Sequence, residues 1–127
     1  MFSDQQLLRS ALENLMVTAT NFPGEDGIYL GADLITWAGF FPYERLLLAN
    51  IHNGNRFELY LLPGAIQNGA CLISGSACRL ASKGDLVSLM AFAHSSADLE
   101  CRGAVIVPLQ QQASGQDNQE WINIKMK

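Results

Sequence analysis

The chain has 127 residues, of which 49% are hydrophobic and 16% charged, as is typical of one globular domain with its own core. Its net charge of −4 and its scattered basic residues argue against nucleic acid or an anionic membrane surface as the partner, because both require clustered Lys and Arg. No apolar run approaches the roughly 20 residues of a membrane span, and the N-terminus lacks the pattern of a secretory signal, so we expect a cytoplasmic protein.

The cysteines and histidines of the chain predict no metal site. Cys71, Cys78 and Cys101 are odd in number, and their spacing matches no zinc or redox motif. We interpret them as reduced residues of the core or the surface. His52 and His94 lie far apart in the sequence and belong to no ligand cluster.

The N-terminal third predicts two short helices. Residues 3–15 begin with a capping-box pattern and carry apolar side chains at helical spacing. A turn-rich loop follows over residues 21–27, and residues 32–38 predict the second helix, with Gly39 as its C-cap residue. The apolar positions of the first segment are Leu7, Leu8, Ala11, Leu12 and Leu15.

A β-hairpin is predicted next, with strands at residues 45–51 and 56–62. Asn53-Gly54 lies between the two apolar runs and indicates a type I′ turn, which needs positive φ at both central positions. Side chains two apart on a strand point the same way, so Arg56, Glu58 and Tyr60 share one face. A cation and a phenol on one face indicate either a solvated barrel surface or a binding site.

The remaining elements predict a small β-barrel. Apolar strands are expected at residues 70–73, 86–92 and 104–109, the second of them after a turn at residues 83–85. Residues 110–120 are polar and predict a flexible loop, while the alternation in residues 121–127 leaves a docked strand and a mobile end both open. We therefore expect a barrel domain at residues 1–109 and a tail at residues 110–127.

Several of these residues carry a resemblance to a known family. Residues 17–92, about three-fifths of the chain, resemble bacterial aspartate 1-decarboxylase, a pyruvoyl-dependent enzyme that makes β-alanine. The landmarks occur in the family's order almost without gaps, and Asn-Gly-x-Arg-Phe-x-x-Tyr is the most specific of them. They are Val17-Thr18, Glu25-Asp26-Gly27, Asp33-Leu34, Ala38-Gly39, Asn53-Gly54-x-Arg56-Phe57-x-x-Tyr60, Ser74-Gly75-x-Ala77 and Ala81-Ser82-x-Gly84-Asp85.

The resemblance implies a mainly β fold, a six-stranded double-psi β-barrel with short helices. Family members assemble as homotetramers whose active sites lie at subunit interfaces, so a homo-oligomer that binds a small molecule is expected. The family has a strand at the N-terminus, where the spacing of this chain favours a helix. Both interpretations of residues 3–15 stay open at this point.

The resemblance also implies site residues. In the family, the precursor cuts itself at a Gly-Ser bond, and the serine becomes a pyruvoyl group that acts as the electron sink. By position, Arg56 corresponds to the arginine that binds a substrate carboxylate and Tyr60 to the proposed proton donor. The loop of Ser74, Gly75, Ser76 and Ala77 corresponds to one that offers backbone N–H groups to an oxyanion.

This chain departs from the family at the cleavage site. Glu25-Asp26-Gly27-Ile28-Tyr29 stands where the family has Glu-Gly-Ser, and no Ser, Thr or Cys occurs between Asn21 and Thr36. Self-cleavage with elimination needs a β-hydroxyl or thiol, so we expect no pyruvoyl cofactor. The family's threonine before the tyrosine is Leu59 here, its loop asparagine is Ser74, and its substrate-binding lysine falls near Ala11.

Glu58 replaces a small hydroxyl residue of the family and allows two interpretations. It could pair with Arg56, two residues away on the same face, and remove that arginine from anion binding. It could instead act as a new general base.

Three hypotheses for the function follow. The first is a cofactor-independent enzyme of decarboxylase, isomerase or cyclase type, with Arg56 holding a carboxylate or enolate and Tyr60 moving a proton. Such an enzyme could serve specialised metabolism. The second is a non-catalytic module on the same barrel that binds a small molecule or a partner protein. The third is a true aspartate 1-decarboxylase whose cleavage site does not correspond to the Glu25-Asp26-Gly27 segment.

Overall fold

The computed structural model describes residues 6–93 and 104–109. These residues form seven β-strands, one α-helix and one 3₁₀ helix. In chain order they are β1 (Leu7–Met16), β2 (Gly27–Leu30), α1 (Ala32–Ala38), β3 (Arg45–Asn50), β4 (Arg56–Tyr60), β5 (Cys71–Ser74), the 3₁₀ helix (Gly75–Arg79), β6 (Leu86–Ala93) and β7 (Val105–Pro108). Among the described residues, no helix is both long enough and apolar enough to cross a membrane.

The strands form two sheets that close around one core. The larger sheet has the order β4-β3-β6-β1-β7, with β1 and β7 parallel and the other neighbours antiparallel. β2 and β5 pair antiparallel in the smaller sheet. Isolated bridges join Ile28 to Leu61 and Ala19 to Leu72, so the smaller sheet is tied to the end of β4 and to the segment after β1. This arrangement agrees with the mainly β fold predicted from the sequence.

The core is built from the inward-facing residues of both sheets and from α1. Leu12, Leu48 and Leu89 of the larger sheet have no exposed surface, and neither do Ile28 and Ile73 of the smaller one. The larger sheet alternates as a half-buried sheet should, since every second residue of β6 is buried. Burial of these aliphatic side chains is the main favourable term holding the sheets together.

The helix predicted over residues 3–15 is wrong for the described part of that segment, because residues 7–15 lie in β1. β1 lies between β6 and β7, and residues 9–12 are all buried. Its pairing with β6 shifts register once after Leu8 and again after Leu12, and Asn14 within the second irregularity has φ 63°. These bulges interrupt the two-residue alternation of buried and exposed side chains in the strand. The apolar residues of β1 therefore have a spacing that resembles that of a helix.

The other predicted elements are confirmed, with one error in the hairpin turn. α1 ends at Gly39, whose φ of 71° and N–H bond to Ile35 are those of a left-handed C-cap. Strands β3 to β7 lie where strands were expected, whereas β2 was not predicted. Gly54 has the expected positive φ of 80°, but Asn53, which the structure also describes, does not. Five residues, 51–55, therefore separate β3 from β4 instead of a two-residue type I′ turn.

Some expectations concern residues outside the described ranges. The predicted loop at residues 110–120, the tail at residues 121–127, Cys101 and His94 lie there. The proposed domain boundary at residue 109 stays a prediction. Of the described cysteines, Cys71 is a buried free thiol and Cys78 a half-buried one.

Candidate functional site

Strand β4 sorts its side chains as the sequence predicted. Phe57 and Leu59 turn toward the core, and Leu59 is buried. Arg56, Glu58 and Tyr60 are exposed on the opposite face. β4 is an end strand of the larger sheet, so its outer edge is open to the loop before β2 and to the 3₁₀ helix after β5.

A cavity of about 340 Å³ lies along this edge. Its size falls within the range of small-molecule sites, roughly 300–1,000 Å³. Charged and polar side chains share its wall with an apolar set from β4 and the 3₁₀ helix. It is lined by Asp26, Arg45, Phe57, Glu58, Leu59, Tyr60, Ser76, Ala77 and Leu80.

Arg45 and Glu58 form an ion pair in the wall of this pocket. The Arg45 Nε lies 3.5 Å from Glu58 Oε1, and more than half of each side chain is exposed. In the β3–β4 register Arg45 is directly opposite Tyr60 and Leu47 is opposite Glu58, so the pair is a diagonal contact between neighbouring strands. The ion pair found for Glu58 therefore joins it to Arg45, not to Arg56 as one interpretation of the sequence proposed.

Arg56 lies apart from the pocket. It is opposite Ala49 at the hairpin end of β4 and is absent from the pocket lining. Arg56 and Tyr60 are four positions apart, which is about 13 Å along a strand. Within one chain, the structure does not bring the predicted anion-binding arginine and the predicted proton donor to the same small ligand.

The Asp26 carboxylate occupies the loop that was predicted to bind an oxyanion. Asp26 Oδ1 accepts hydrogen bonds from the Ser76 backbone N–H at 2.9 Å and from the Ser76 hydroxyl at 3.2 Å. Gly75, with φ 83°, allows this approach, because a Cβ at that position would overlap the carboxylate. A protein carboxylate thus already accepts the backbone N–H of the pocket residue Ser76.

The other predicted loop residues have structural partners. Ser74 is fully buried, and its hydroxyl donates to the Glu25 carbonyl. Ala77 is nearly buried, lines the pocket and accepts a hydrogen bond from the Leu80 N–H at 2.9 Å. Of the predicted site residues, the structure brings Glu58, Tyr60, Ser76 and Ala77 to one pocket. Arg56, Ser74 and Gly75 do not line it.

Comparison with known proteins identifies the family. The aspartate decarboxylase family model matches residues 3–114. The chain belongs to the aspartate decarboxylase family. The double-psi barrel class predicted from the resemblance is confirmed as its fold class, with the mainly β architecture described above.

Individual relatives match along most of the chain. The aspartate 1-decarboxylase of Coprothermobacter proteolyticus is 38% identical over 101 residues, which cover 80% of this chain and 84% of that protein. The one from Pyrobaculum islandicum is 38% identical over 86 residues, covering 68% and 70%. The one from Salinibacter ruber is 37% identical over 90 residues, covering 71% and 62%.

A second polar cluster ties the hairpin to the turn before β6 in this family member. The Asp85 carboxylate accepts hydrogen bonds from Asn50 Nδ2 at 2.9 Å and the Ser82 N–H at 2.9 Å, and it contacts His52 Nδ1 at 3.1 Å. The Asn50 amide, then the Ser82 N–H and His52, hold the pKa of Asp85 below its ordinary value. His52 lies in the turn between β3 and β4. No described group of three His, Cys, Asp or Glu is arranged to hold a metal ion.

Two charged pocket residues, Asp26 and Arg45, were not predicted as site residues. Asp26 belongs to the Glu-Asp-Gly departure from the family, and only the fold reveals that its carboxylate reaches Ser76. Arg45 begins a predicted strand, and the correct hairpin register would have placed it opposite Tyr60.

Proposed function

We propose that this member of the aspartate decarboxylase family does not convert itself to a pyruvoyl enzyme. We propose instead that the pocket along β4 is a cofactor-independent site for a small molecule that carries its own carbonyl group. The observation that carries the proposal is the replacement at the pocket edge of a processing serine by Asp26 and Gly27, with the Asp26 carboxylate bonded to Ser76.

The processing segment does not fit a pyruvoyl group. The acyl shift requires a hydroxyl or thiol on the β-carbon side chain of the residue after the scissile carbonyl, and residues 22–35 contain no Ser, Thr or Cys. Gly27 is packed so closely that a Cβ there would lie 2.6 Å from the Tyr60 carbonyl oxygen and 2.8 Å from Leu62 Cδ1. Both the chemistry and the space for a serine at position 27 are missing.

Two neighbouring features support the same conclusion. Leu59 is buried and supplies no hydroxyl where the family has a threonine that assists cleavage. The Ser76 N–H, a donor that the resemblance assigned to an oxyanion, is bonded to Asp26. A developing oxyanion would have to displace this carboxylate, whose negative charge opposes it.

Loss of the pyruvoyl group restricts the substrate. A carbanion left by decarboxylation or proton removal needs an electron sink, and without the cofactor the substrate must provide one. A carbonyl β to the leaving carboxylate is such a sink, since it accepts the electron pair as an enolate. Tyr60 is half-exposed in the pocket and is the proposed donor of the proton that the enolate carbon receives. Glu58 is the neighbouring carboxylate that could accept a proton.

Intact mass is the first test of this proposal. We expect one uncut species of 13.9 kDa. The single Gly-Ser bond in the sequence, Gly75–Ser76, precedes the pocket residue Ser76, so the measurement also tests whether cleavage has moved there. Two fragments from either position would overturn the proposal in favour of a pyruvoyl decarboxylase.

Turnover is the second test. Release of CO₂ from a panel of β-keto acids is compared with release from aspartate, and we expect turnover only in the first set. Tyr60→Phe should lower it by roughly 10²-fold or more, as loss of a general acid does. Tyr43→Phe removes the hydroxyl of an exposed tyrosine outside the pocket and is the matched control. Equal activity in both variants would remove Tyr60 from the mechanism.

Arg56 stays a predicted anion-binding residue in this scheme. Arg56 lies outside the pocket of its own chain. It could therefore bind the anion of a ligand only if that ligand were held in the pocket of a second copy packed against it. Arg56→Ala should then lower turnover only in the assembled protein.

The homotetramer implied by the resemblance is likewise a proposal. End strand β7 supports it, since Val105 and Ile106 are 40% and 49% exposed on a strand that a further copy could cover. Light scattering distinguishes a tetramer from a 13.9 kDa monomer.

A second candidate function is a non-catalytic binding module. The partners of the charged pocket residues favour it, because Asp26 accepts hydrogen bonds from Ser76 and Arg45 is paired with Glu58, which leaves neither group free for catalysis. A ligand bound in the pocket without turnover of any β-keto acid would support this alternative.

A further inference from the structure

We propose that Arg45 binds an acidic group of the ligand, a carboxylate, and that Glu58 is the counter-ion which this carboxylate displaces. The inference rests on the proposed function only in assuming that the pocket along β4 is the ligand site. It names the residue that selects the ligand's charge, a role that the resemblance gave to Arg56.

Arg45 is the described basic side chain that lines the pocket. Among the other described basic residues, Arg56, Arg79 and Lys83 are absent from the lining. Arg9 is bound elsewhere, with one guanidinium nitrogen 2.5 Å from Glu44 and another donating to the Gly39 carbonyl. Among the residues that the structure describes, a ligand anion that enters the cavity therefore meets one Lys or Arg side chain, that of Arg45.

The contact between Arg45 and Glu58 is weak enough for a ligand carboxylate to replace Glu58. It has a single 3.5 Å contact through Nε, and both side chains are more than half exposed, so water screens it and it contributes little to stability. The planar guanidinium can offer two parallel N–H donors to a carboxylate, and such a bidentate pair is stronger than a single long contact. A ligand carboxylate held by the pocket walls would therefore compete successfully with Glu58.

A second cavity gives the Glu58 side chain space to move. This cavity, of about 250 Å³, borders the same ion pair and is lined in part by Arg45 and Glu58 together with Gln6 and Phe92. Glu44 also lines it, but Arg9 already neutralises that carboxylate. The displaced Glu58 can thus leave Arg45 without being buried beside an unpaired negative charge.

Tyr60 sets the geometry of the bound group. Arg45 and Tyr60 are cross-strand partners, and such pairs have Cβ atoms about 4.5–5.5 Å apart. A carboxylate on Arg45 therefore places the adjoining carbons of the ligand within reach of the Tyr60 phenol. The apolar wall of Phe57, Leu59 and Leu80 faces the remainder of the ligand.

Binding of benzoate, followed by titration calorimetry and by NMR of the full chain at constant ionic strength, tests the inference. Benzamide, the neutral molecule of the same shape, should bind at least about 10-fold more weakly, as expected when a charged hydrogen bond is lost. Arg45→Gln should lose benzoate affinity by a similar factor. Lys83→Gln, which removes an exposed cation outside both cavities, should bind benzoate as the wild type does.

Glu58→Gln is the more stringent test, because the inference predicts that this variant gains affinity for benzoate. With its competitor removed, Arg45 should bind benzoate roughly 2- to 5-fold more tightly, the factor expected for an exposed ion pair. Equal affinity for benzoate and benzamide, unchanged affinity in Arg45→Gln, or weaker binding in Glu58→Gln would each overturn the inference.

Its failure is distinguishable from failure of the proposed function. If Tyr60→Phe abolishes turnover while Arg45→Gln binds benzoate normally, the function stands and the role of Arg45 falls. If benzoate binding depends on Arg45 and no β-keto acid is turned over, the carboxylate site stands without the enzyme.

Discussion

Installing the family's Glu-Gly-Ser sequence in this chain tests the account of the processing segment. The double variant Asp26→Gly with Gly27→Ser places a serine after a glycine at the pocket edge. The new Cβ would lie 2.6 Å from the Tyr60 carbonyl oxygen and 2.8 Å from Leu62 Cδ1, closer than packed atoms approach. Since one neighbour is backbone of β4, the strand itself has to shift.

The magnitude follows from the cost of overpacking, which is about 1–3 kcal/mol for an added group in a closely packed site. For a domain of this size each kcal/mol lowers Tm by roughly 3–5 °C, so a decrease of about 3–15 °C is expected. We also expect the double variant to stay uncut, because Leu59 supplies no assisting hydroxyl and the strained backbone cannot present the serine to the carbonyl before it.

The assay combines thermal unfolding with intact mass after prolonged incubation. Asp26→Gly alone is the control, because it removes the hydrogen bonds to Ser76 without adding a Cβ at position 27. The difference between the two variants isolates the serine. Fragments of residues 1–26 and 27–127, or a Tm equal to that of the control, would refute the reasoning about space at Gly27.

Three further predictions concern stability and reactivity. Leu48→Ala, in a fully buried position between β4 and β6, should lower the free energy of unfolding by about 2–5 kcal/mol in urea titrations. The lowered pKa of Asp85 stabilises the fold above the unfolded carboxyl pKa, and this contribution is lost as pH falls through the folded value. The stability gap between wild type and Asp85→Asn should therefore be present at pH 7 and shrink below about pH 4; a gap that widens in acid would contradict this sign. Burial raises the pKa of the Cys71 thiol to about 12, so iodoacetamide at pH 8 should label Cys71 only after unfolding, as peptide mass mapping can check.

The sequence predicted the fold well wherever one local signal acted alone. Gly39 ends α1 because its left-handed φ suits glycine, and that signal needs no tertiary contact. β6 reads as an apolar strand after Gly84, whose φ of 91° makes the turn. The helix prediction for the β1 segment was wrong because the spacing of its apolar residues depends on two bulges in the pairing of β1 with β6. β2 was missed because four residues give too little pattern to recognise.

The site was only half predictable for a related reason. Alternation along β4 was enough to put Glu58 and Tyr60 on one face. A two-residue turn at Asn53-Gly54 would have paired Arg45 with Leu62, two positions from its actual partner Tyr60. With that register, the contact between Arg45 and Glu58 would not have been predicted. Asp26 reaches Ser76 from 50 residues away, a distance no sequence period spans.

The place of β1 in the larger sheet has a consequence for how the chain folds. β1 is the first of the described strands to be made, yet its antiparallel partner is β6, and Leu7 is paired with Ala93, which lies 86 residues later in the chain. Pairing over such a separation carries a large loop-closure cost, and folds dominated by distant pairs form slowly, in roughly milliseconds to seconds. On the ribosome, the first strand must wait without its partner until most of the chain has been synthesised. During that interval its unpaired edge is a site for chaperone binding or for misassociation with other chains.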